Sequence, residues 1–329
     1  MTIDEKYMRR CLQLARLGEG RTTPNPMVGC VVVHNNIVIG EGFHRYCGGW
    51  HAEVNALDSV KDKSLIKDST LYVNLEPCSH YGKTPPCSLR IIKEKVKKVV
   101  IANTDPNPQV SGRGISLLRS AGIIVETGLL EKEAWELNRR FFTFHAKHRP
   151  YIILKWAQTS DGFIDAFGEK PIRISSSTTK ALVHQMRAEN MAIMVGTSTA
   201  VKDNPHLNTR RWFGKNPTRI TIDKSGRIPA THRIFDTSAP TLLINREMTS
   251  AEIADYLYSN GIQSVIVEGG ENTLKRFIDS GLYDEVQIET GPCTCGSGTP
   301  APEISIPSDA EILTIGGQKL IRFRHLTEP

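Results

Sequence analysis

The sequence has no hydrophobic run long enough to cross a membrane: no stretch of about 18 consecutive apolar residues occurs in its 329 residues. Its first residues also lack a basic segment that leads into an apolar stretch, the pattern of a secretory signal peptide. Hydrophobic residues make up 39% and charged residues 23%, the balance of a globular protein. We therefore expect a cytoplasmic protein with no membrane partner.

Long basic tracts are also absent. The net charge is +6, but Lys and Arg are mixed with acidic residues throughout, and aromatic residues amount to only 7%. Nucleic-acid binding proteins usually concentrate basic residues on one face and place aromatic residues among them. We expect no nucleic-acid partner, since a small phosphorylated substrate would account equally well for local basic residues.

A disulfide framework is not indicated, because the seven cysteines are odd in number and spread along the whole chain. In a reducing cytosol such cysteines are metal ligands or buried thiols. Cys11 lies in a predicted amphipathic helix and Cys30 in an apolar strand, where a small buried thiol fits best. Cys293 and Cys295 form a C-x-C within a Gly/Pro-rich stretch, which we interpret as a loop feature.

One group of residues has the composition of a hydrolytic zinc site. His51-Ala52-Glu53 is followed by Cys78 and then by Cys87, each cysteine preceded by proline. Zinc held by three protein ligands keeps a fourth position for water and lowers the pKa of that water to about 7. Glu53 would then move protons from this water to a leaving amine, so the pattern predicts a zinc deaminase with ligands His51, Cys78 and Cys87.

The pattern differs from the usual deaminase signature, in which H-x-E is followed by P-C-x-x-C. Here eight residues, Ser79 to Pro86, separate the two cysteines. A structural zinc site is the alternative, and it would need a fourth protein ligand. The available candidates are Cys47, His80, His44 and Cys30, although paired short spacings typical of structural sites do not occur between residues 47 and 87.

Alternating helices and strands are predicted for the first part of the chain, which indicates an α/β sandwich with the metal at helix N-termini, where the helix dipole favours thiolate. A helix over residues 4–18 precedes a hairpin turning at His34-Asn35-Asn36. The remaining predicted helices cover about 51–60, a segment starting after Pro86, 115–120 and 131–144, and the strands cover 28–33, 37–42, 70–75, 96–102 and 122–125.

A domain junction is predicted at about residue 147, after the charged and aromatic helical stretch and a polar, basic segment. The chain would then have one domain over residues 1–147 and another over 148–329. Strands are predicted at 151–157, 192–195, 219–223, 241–244 and 264–267, with helices over 178–189 and from about 274 to 280.

A strand, the glycine pair Gly269-Gly270 and a helix follow one another near the end of the second domain. Glycines let the backbone approach a phosphate, and the first N–H groups of the helix point at it. An ordinary strand-to-helix turn would explain the same residues. The G-x-G-x-x-G fingerprint of dinucleotide-binding domains is absent from the chain.

Long motifs in the first domain resemble one family. They are Thr23-Pro24-Asn25-Pro26-Met27-Val28-Gly29, His51-Ala52-Glu53-Val54, the segment from Glu76 to Cys87 and Asp105-Pro106-Asn107-Pro108. Together they are similar to the bifunctional deaminase/reductase of bacterial riboflavin biosynthesis, and the resemblance covers nearly the whole chain. It implies a cytidine-deaminase-like three-layer α/β/α domain followed by a dihydrofolate-reductase-like α/β domain.

The resemblance implies two reactions. The first domain would bind Zn²⁺ and hydrolyse the 2-amino group of a phosphoribosylamino-pyrimidine, with Glu53 as the acid and base. The second would reduce the ribosyl group to ribityl with NADPH. A small phosphorylated pyrimidine would be the partner, and members of the family tend to associate through the reductase domain as homo-oligomers.

Further site residues are implied by position within the family. Those that resemble substrate contacts are Asn25, His44, His80, Lys83, Arg187, Leu207, Arg210 and Glu268. Those that resemble cofactor contacts are Ala157, Thr199, Asp203, Gly270, Glu271, Asn272 and Thr273. Plainer readings exist: Lys83 as a solvated loop lysine, Arg187 as a surface helix arginine, Arg210 as one of a solvated pair with Arg211, and Asp203 as a turn former.

The chain departs from the family pattern over Lys170 to Arg173 and in the C-terminal region around Cys293 and Cys295. Two other functions remain open. One is a deaminase acting on RNA or another base beside a degenerate second domain, which tight, salt-sensitive RNA binding would favour. The other is a non-enzymatic binding protein stabilised by zinc with four protein ligands.

Overall fold

The chain divides into two units, Met1–Lys147 and His148–Pro329. A computed structural model describes residues 1–81, 85–107, 111–167 and 172–325. Within those ranges, no helix combines the length and the apolar character needed to cross a membrane. Both units mix helices with strands, so the predicted α/β class is confirmed.

The first unit is built on a five-stranded sheet of order β2-β1-β3-β4-β5. β1 pairs antiparallel with β2 and β3, whereas β3, β4 and β5 are parallel. Its strands are β1 Gly29–His34, β2 Ile37–Phe43, β3 Thr70–Leu75, β4 Lys98–Asn103 and β5 Ile124–Thr127. Its helices are α1 Ile3–Arg16, α2 Ala52–Ser59, α3 Cys87–Lys93, α4 Arg113–Ser120, α5 Glu131–Leu137 and α6 Arg139–Lys147, with a 3-10 helix over Lys63–Asp68.

Helices cover both faces of this sheet. α2, α3 and α4 bury apolar residues against one face, and α1 and α5 against the other. The unit is therefore a three-layer α/β/α sandwich, because each helix has one apolar side that needs the sheet to cover it. The predicted hairpin is confirmed: Asn35 and Asn36 have φ values of 49° and 62°, which the tight turn between β1 and β2 requires.

The predicted single helical stretch over residues 131–144 is wrong in detail, since α5 ends at Leu137 and α6 begins at Arg139. Asn138 separates them with φ −108° and ψ 23°. Its side-chain amide is engaged by the backbone of a distant segment, described below, so Asn138 is held by contacts outside its own helix.

The second unit has an eight-stranded sheet of order β10-β9-β8-β11-β6-β12-β15-β14. The six strands from β10 to β12 are parallel, and β15 runs antiparallel to both of its neighbours. The strands are β6 Tyr151–Gln158, β7 Phe163–Ala166, β8 Ala192–Gly196, β9 Thr218–Ile222, β10 Thr241–Ile244, β11 Ser264–Glu268, β12 Glu285–Thr290, β13 Gly298–Pro300, β14 Glu311–Ile315 and β15 Gln318–Arg324. β7 and β13 form a separate two-stranded sheet.

The described residues of this unit form four helices, with a 3-10 helix over Arg233–Phe235. The helices are α7 Ser177–Glu189, α8 Thr197–Asp203, α9 Ser250–Ser259 and α10 Glu271–Asp279. α9 and α10 pack on one face of the sheet, and α7 and α8 pack on the other. The sequence reasoning missed α9, although Thr249 and Glu252 form a capping box at its start. It also missed β12, β14 and β15.

Two glycines of β2 fix the position of α2. A side-chain carbon at Gly42 would lie 2.3 Å from the backbone nitrogen of Ala56, and one at Gly40 would lie 2.5 Å from the Ala56 carbonyl oxygen. Both clashes are with backbone atoms, which cannot rotate away. The helix that begins beside His51 therefore lies as close to the sheet as glycine permits.

We expect Gly42→Ala to push α2 away from β2 and to destabilise the first unit by about 1–3 kcal/mol, the usual cost of overpacking. Because the predicted zinc ligand His51 is the N-cap residue of α2, bound zinc should also fall. Urea unfolding and zinc analysis of the purified protein would measure both. Unchanged stability together with full zinc content would show that α2 can shift without consequence.

Candidate zinc centre and reductase cavity

Three ends of secondary structure bring the predicted zinc ligands together. His51 caps the N-terminus of α2, Cys78 follows β3, and Cys87 is the first residue of α3. The Nδ1 atom of His51 lies 3.5 Å from Cys78 Sγ and 3.3 Å from Cys87 Sγ, and the three ligand atoms all lie within 4.8 Å of one another. Ligand bonds of about 2.0–2.3 Å at tetrahedral angles give separations of about 3.6 Å, so the cluster fits zinc.

A thiolate in the cluster favours a metal cation, which would replace the proton on His51 when it binds. A hydrogen bond from the Cys87 thiol, the His51 ring and the Cys87 backbone N–H together lower the pKa of Cys78 to about 4. That backbone N–H, at the start of α3, donates to Cys78 Sγ at 3.2 Å. The hydrogen bond with Cys78 in turn raises the pKa of His51 to about 9. Negative charge on sulfur at a helix N-terminus is the donor chemistry that zinc prefers.

Glu53 lies in the first turn of α2 and is 3% exposed. Burial is the main cause that raises the pKa of its carboxyl group, and its nearest ionisable neighbours are His51, Cys78 and Cys87. Glu53 is not a member of the ligand cluster. The carboxyl group is thus beside the metal ligands and able to hold a proton, as a general acid and base must.

A closed structural site would need a fourth ligand, and the cluster has none among the described residues. His44 has both ring nitrogens engaged: Nδ1 lies 3.0 Å from the Trp50 carbonyl oxygen and Nε2 lies 3.1 Å from Asn25 Nδ2. Cys30 is buried within β1, and Cys47 and His80 are exposed. The geometry is that of a catalytic site with an open coordination position.

Of the four residues of this unit predicted to contact the substrate, two lie beside the zinc ligands. Asn25 and His44 are hydrogen-bonded to each other, and the His44 ring meets the His51 ring edge-on with centroids 5.6 Å apart. His80 lies on the exposed segment that follows Cys78. Lys83 lies outside the described residues.

Sequence reasoning missed three buried polar residues that support these loops. The Glu76 carboxylate accepts N–H groups of Asp105, Gly112 and Ile115, at 3.2, 3.0 and 3.1 Å, and so ties the segment before Cys78 to the start of α4. Asn74 and Asn138 hold the segment that carries Asn25, as described below. A buried amide or carboxylate needs hydrogen-bond partners, but the sequence does not say where those partners lie.

The second unit contains a cavity of about 840 Å³ that opens to solvent, a size typical of cofactor sites. Every reductase residue predicted from the sequence lines it. These residues are Ala157, Arg187, Thr199, Asp203, Leu207, Arg210, Glu268, Gly270, Glu271, Asn272 and Thr273. Ile172 and Arg173, from the segment that departs from the family pattern, also line it, whereas Lys170 and Pro171 lie outside the described residues.

A carboxylate that is only 12% exposed organises one wall of this cavity. Glu268, at the end of β11, lies 2.8 Å from Arg187 Nη2 and 3.4 Å from Lys155 Nζ. Lys155 is its register partner on the parallel strand β6. Burial opposes ionisation of Glu268, but Arg187 and Lys155 outweigh it and lower its pKa to about 2. Arg187 is thus paired inside the cavity and is not a solvated surface arginine.

Several arginines lie together in the same cavity. Arg210 lies near Arg187 and Arg211; burial and repulsion from these arginines lower its pKa. Burial and the same arginines lower the pKa of His184 to about 4. His184 and Lys155 are cavity residues that sequence reasoning missed. The arginines and lysines match the phosphate groups of NADPH and of a phosphorylated substrate.

The glycine pair forms the turn between β11 and α10. Gly269 has φ 112°, and the Gly270 N–H donates to Thr199 Oγ1 at 3.0 Å. This contact joins the turn to α8, which ends at Asp203. Burial is the main cause that raises the pKa of the Asp203 carboxyl group.

Cys293 and Cys295 lie in a segment without helix or strand, as the sequence predicts. The Asp161 carboxylate anchors this segment by accepting the N–H groups of Cys295 and Gly296. Neither cysteine belongs to a potential metal-binding cluster within the described part of the chain.

Comparison with known proteins agrees with this division into two sites. Residues 1–103 match the cytidine and deoxycytidylate deaminase zinc-binding region, and residues 150–316 match the RibD C-terminal domain. The riboflavin biosynthesis protein RibD of Aquifex aeolicus is 39% identical over 97% of this chain and 95% of its own length. The RibD protein of Bacillus amyloliquefaciens is 39% identical over 92% of this chain and 88% of its own length.

A solved structure is similar over the same range. The crystal structure of a diaminohydroxyphosphoribosylaminopyrimidine deaminase/5-amino-6-(5-phosphoribosylamino)uracil reductase from Thermotoga maritima is 35% identical to this chain. The two superpose with a TM-score of 0.88, and the match covers 98% of each chain.

The sites and these matches define a two-domain enzyme with a zinc-dependent deaminase unit and an NADPH-dependent reductase unit. The chain belongs to the family of the riboflavin biosynthesis protein RibD. The predicted bifunctional role in riboflavin biosynthesis is confirmed, and an RNA deaminase with a degenerate second domain is not favoured.

Glu268 generates a prediction about acid stability. Its folded-state pKa of about 2 lies below the ordinary value of 4.5, so the ionised carboxylate stabilises the fold above about pH 4.5. That contribution, roughly 3 kcal/mol, is lost as the pH falls toward 2. We expect Glu268→Gln to lower the unfolding free energy of the second unit by up to this amount at pH 7, with the difference shrinking below about pH 4.

Urea unfolding at a series of pH values would measure the effect. Glu247→Gln is the matched control, because Glu247 pairs with Lys224 on the exposed surface and such pairs contribute little. A deficit of Glu268→Gln that stays constant from pH 7 to pH 3 would show that the carboxylate charge is not responsible.

Proposed function

We propose that the deaminase unit hydrolyses the 2-amino group of 2,5-diamino-6-(5-phosphoribosylamino)pyrimidin-4-one, and that the reductase unit then reduces the ribosyl group to ribityl with NADPH. The activity that names the Thermotoga maritima relative supports this substrate. The observation that carries the proposal is the cluster of His51, Cys78 and Cys87 with the buried carboxyl group of Glu53 beside it.

Zinc, when held by these three ligands, supplies a Lewis acid that makes water nucleophilic near neutral pH. The chain supplies the proton transfers. Glu53 takes a proton from the attacking water and returns it to the amino group that leaves as ammonia. Its burial keeps the protonated carboxyl group stable between the two transfers, since a charge there is poorly solvated.

Asn25 and His44 would form the wall that faces the pyrimidine. The His44 ring donates from Nδ1 to the Trp50 carbonyl and accepts at Nε2 from Asn25, an arrangement that fixes a neutral ring. Burial is the main cause that lowers the pKa of His44, which agrees with a neutral ring. His80 would also contact the substrate, and Lys83 would bind its phosphate, as the family resemblance implies.

In the reductase unit NADPH supplies a hydride, and the chain positions the two reactants. The turn from Gly270 to Thr273, with Ala157, Thr199 and Asp203, would hold the cofactor. Arg187, Leu207, Arg210 and Glu268 would contact the substrate. The pairing of Glu268 with Arg187 fixes both side chains, and catalysis by orientation needs such fixed groups.

We also propose a homo-oligomer formed through the reductase domain, in the cytoplasm. β14 lies at the edge of the eight-stranded sheet with Ile312 58% exposed, and an edge strand can pair with another chain. All seven cysteines are free, which suits a reducing compartment. Light scattering of the purified protein would measure the oligomeric state.

A coupled assay tests the function. With zinc-loaded enzyme, substrate and NADPH in one tube, we expect ammonia release followed by NADPH oxidation that depends on prior deamination. Removing zinc with a chelator should stop ammonia release, yet the enzyme should still oxidise NADPH when given the deaminated intermediate. Absence of both signals from the zinc-loaded enzyme would contradict the proposed substrate.

Glu53→Gln should keep zinc and lose ammonia release by about 100-fold or more, because the amide cannot accept the proton. The reductase rate with the deaminated intermediate is the internal control, since that site lies in the other unit. Ammonia release at the parental rate in this variant would remove Glu53 from the mechanism.

A further inference from the structure

A buried asparagine far along the chain holds the segment that carries Asn25. Asn138, 4% exposed, engages both backbone groups of Met27. The Met27 N–H donates to Asn138 Oδ1 at 2.8 Å, and Asn138 Nδ2 donates to the Met27 carbonyl at 2.8 Å. The side-chain amide thus pairs with Met27 as a neighbouring strand would.

A second buried asparagine binds the same segment through hydrogen bonds. Asn74, on β3 and 1% exposed, donates from Nδ2 to the same Met27 carbonyl at 3.0 Å and accepts the Gly29 N–H at 2.7 Å. Met27 is therefore held from two sides. Residues 21–28 form neither helix nor strand, so these side-chain bonds replace the ladder that would otherwise fix the segment.

The segment around Met27 is connected to the predicted zinc ligand His51 through Asn25 and His44. The side chain of Asn25, two residues before Met27, donates to the ring nitrogen Nε2 of His44 at 3.1 Å. The backbone N–H of His44 donates to the Val28 carbonyl at 2.8 Å. The His44 ring then meets the ring of His51. A shift at Met27 would therefore move Asn25 and His44 relative to the metal.

We propose that Asn138 is a positioning residue of the deaminase, which sets the substrate-facing wall formed by Asn25 and His44. The inference rests on the proposed contact of those two residues with the pyrimidine. A displacement of about 1 Å in a positioning group can cost about 100-fold in rate. Asn138 also lies beyond residues 1–103, so the segment from α5 to α6 is a working part of the deaminase.

Two variants test the proposal in the full chain. Asn138→Ala removes both bonds to Met27. Asn138→Asp keeps the acceptor for the Met27 N–H but turns a carboxylate oxygen toward the Met27 carbonyl. We expect both variants to raise the KM for deamination, Asn138→Ala about tenfold, with kcat changed less than about threefold. Hydrogen exchange at Met27 should accelerate in the alanine variant and stay slow in the aspartate variant.

Zinc content and the reductase rate in the same protein show whether each unit is folded, and both should equal those of the parent. Tyr7→Phe is the matched control, because it removes one hydrogen bond of the same unit, to the Asn36 carbonyl at 2.7 Å in the distant hairpin. It should leave the KM unchanged.

A KM for Asn138→Ala within twofold of the parent value would overturn the proposal, as would an equal increase in Tyr7→Phe or a loss of zinc that accounts for the change. Failure of the proposed function is a separate result, because the parent enzyme itself would then release no ammonia.

Discussion

A largely buried anion constrains each of the two sites of this enzyme. In the deaminase unit, a thiolate at Cys78 is stabilised by the Cys87 thiol, the His51 ring and the N–H group that opens α3. In the reductase unit, Glu268 is stabilised by Arg187 and Lys155. A buried charge without such partners costs several kcal/mol. The helices and strands that supply the partners must therefore stay in contact with the segment that carries the anion.

The residues that carry the chemistry could be predicted from the sequence because of their positions in the secondary structure. His51, Glu53, Cys78 and Cys87 stand at strand or helix ends, where patterns of period 2 and 3.6 stop, so their place in the fold followed from the local pattern. The hairpin and β3 were predicted for the same reason. The unusual eight-residue gap between the cysteines did not matter, because Cys87 is placed by the start of α3 and not by its distance from Cys78.

The supporting residues could not be predicted in this way. Asn74 lies in an apolar strand, and Asn138 lies inside a stretch that reads as a single helix, so neither has a local signal of its function. Each acts on Met27, which is 47 residues from Asn74 and 111 from Asn138 along the chain. Lys155 was missed likewise, because only the parallel register of β6 and β11 sets it opposite Glu268. Such contacts are determined by tertiary structure, which periodicity does not encode.

The two kinds of residue divide the deaminase unit by function. The proposed zinc ligands and Glu53 fall within residues 1–103, which match the cytidine and deoxycytidylate deaminase zinc-binding region. Asn138, which binds Met27, lies outside that range, between α5 and α6. In the proposed mechanism, activation of water uses the metal and Glu53, whereas choice of pyrimidine uses the wall formed by Asn25 and His44. A chain that adds helices after the shared region can therefore reset the wall without disturbing the metal, which gives α5 and α6 a reason to belong to the deaminase.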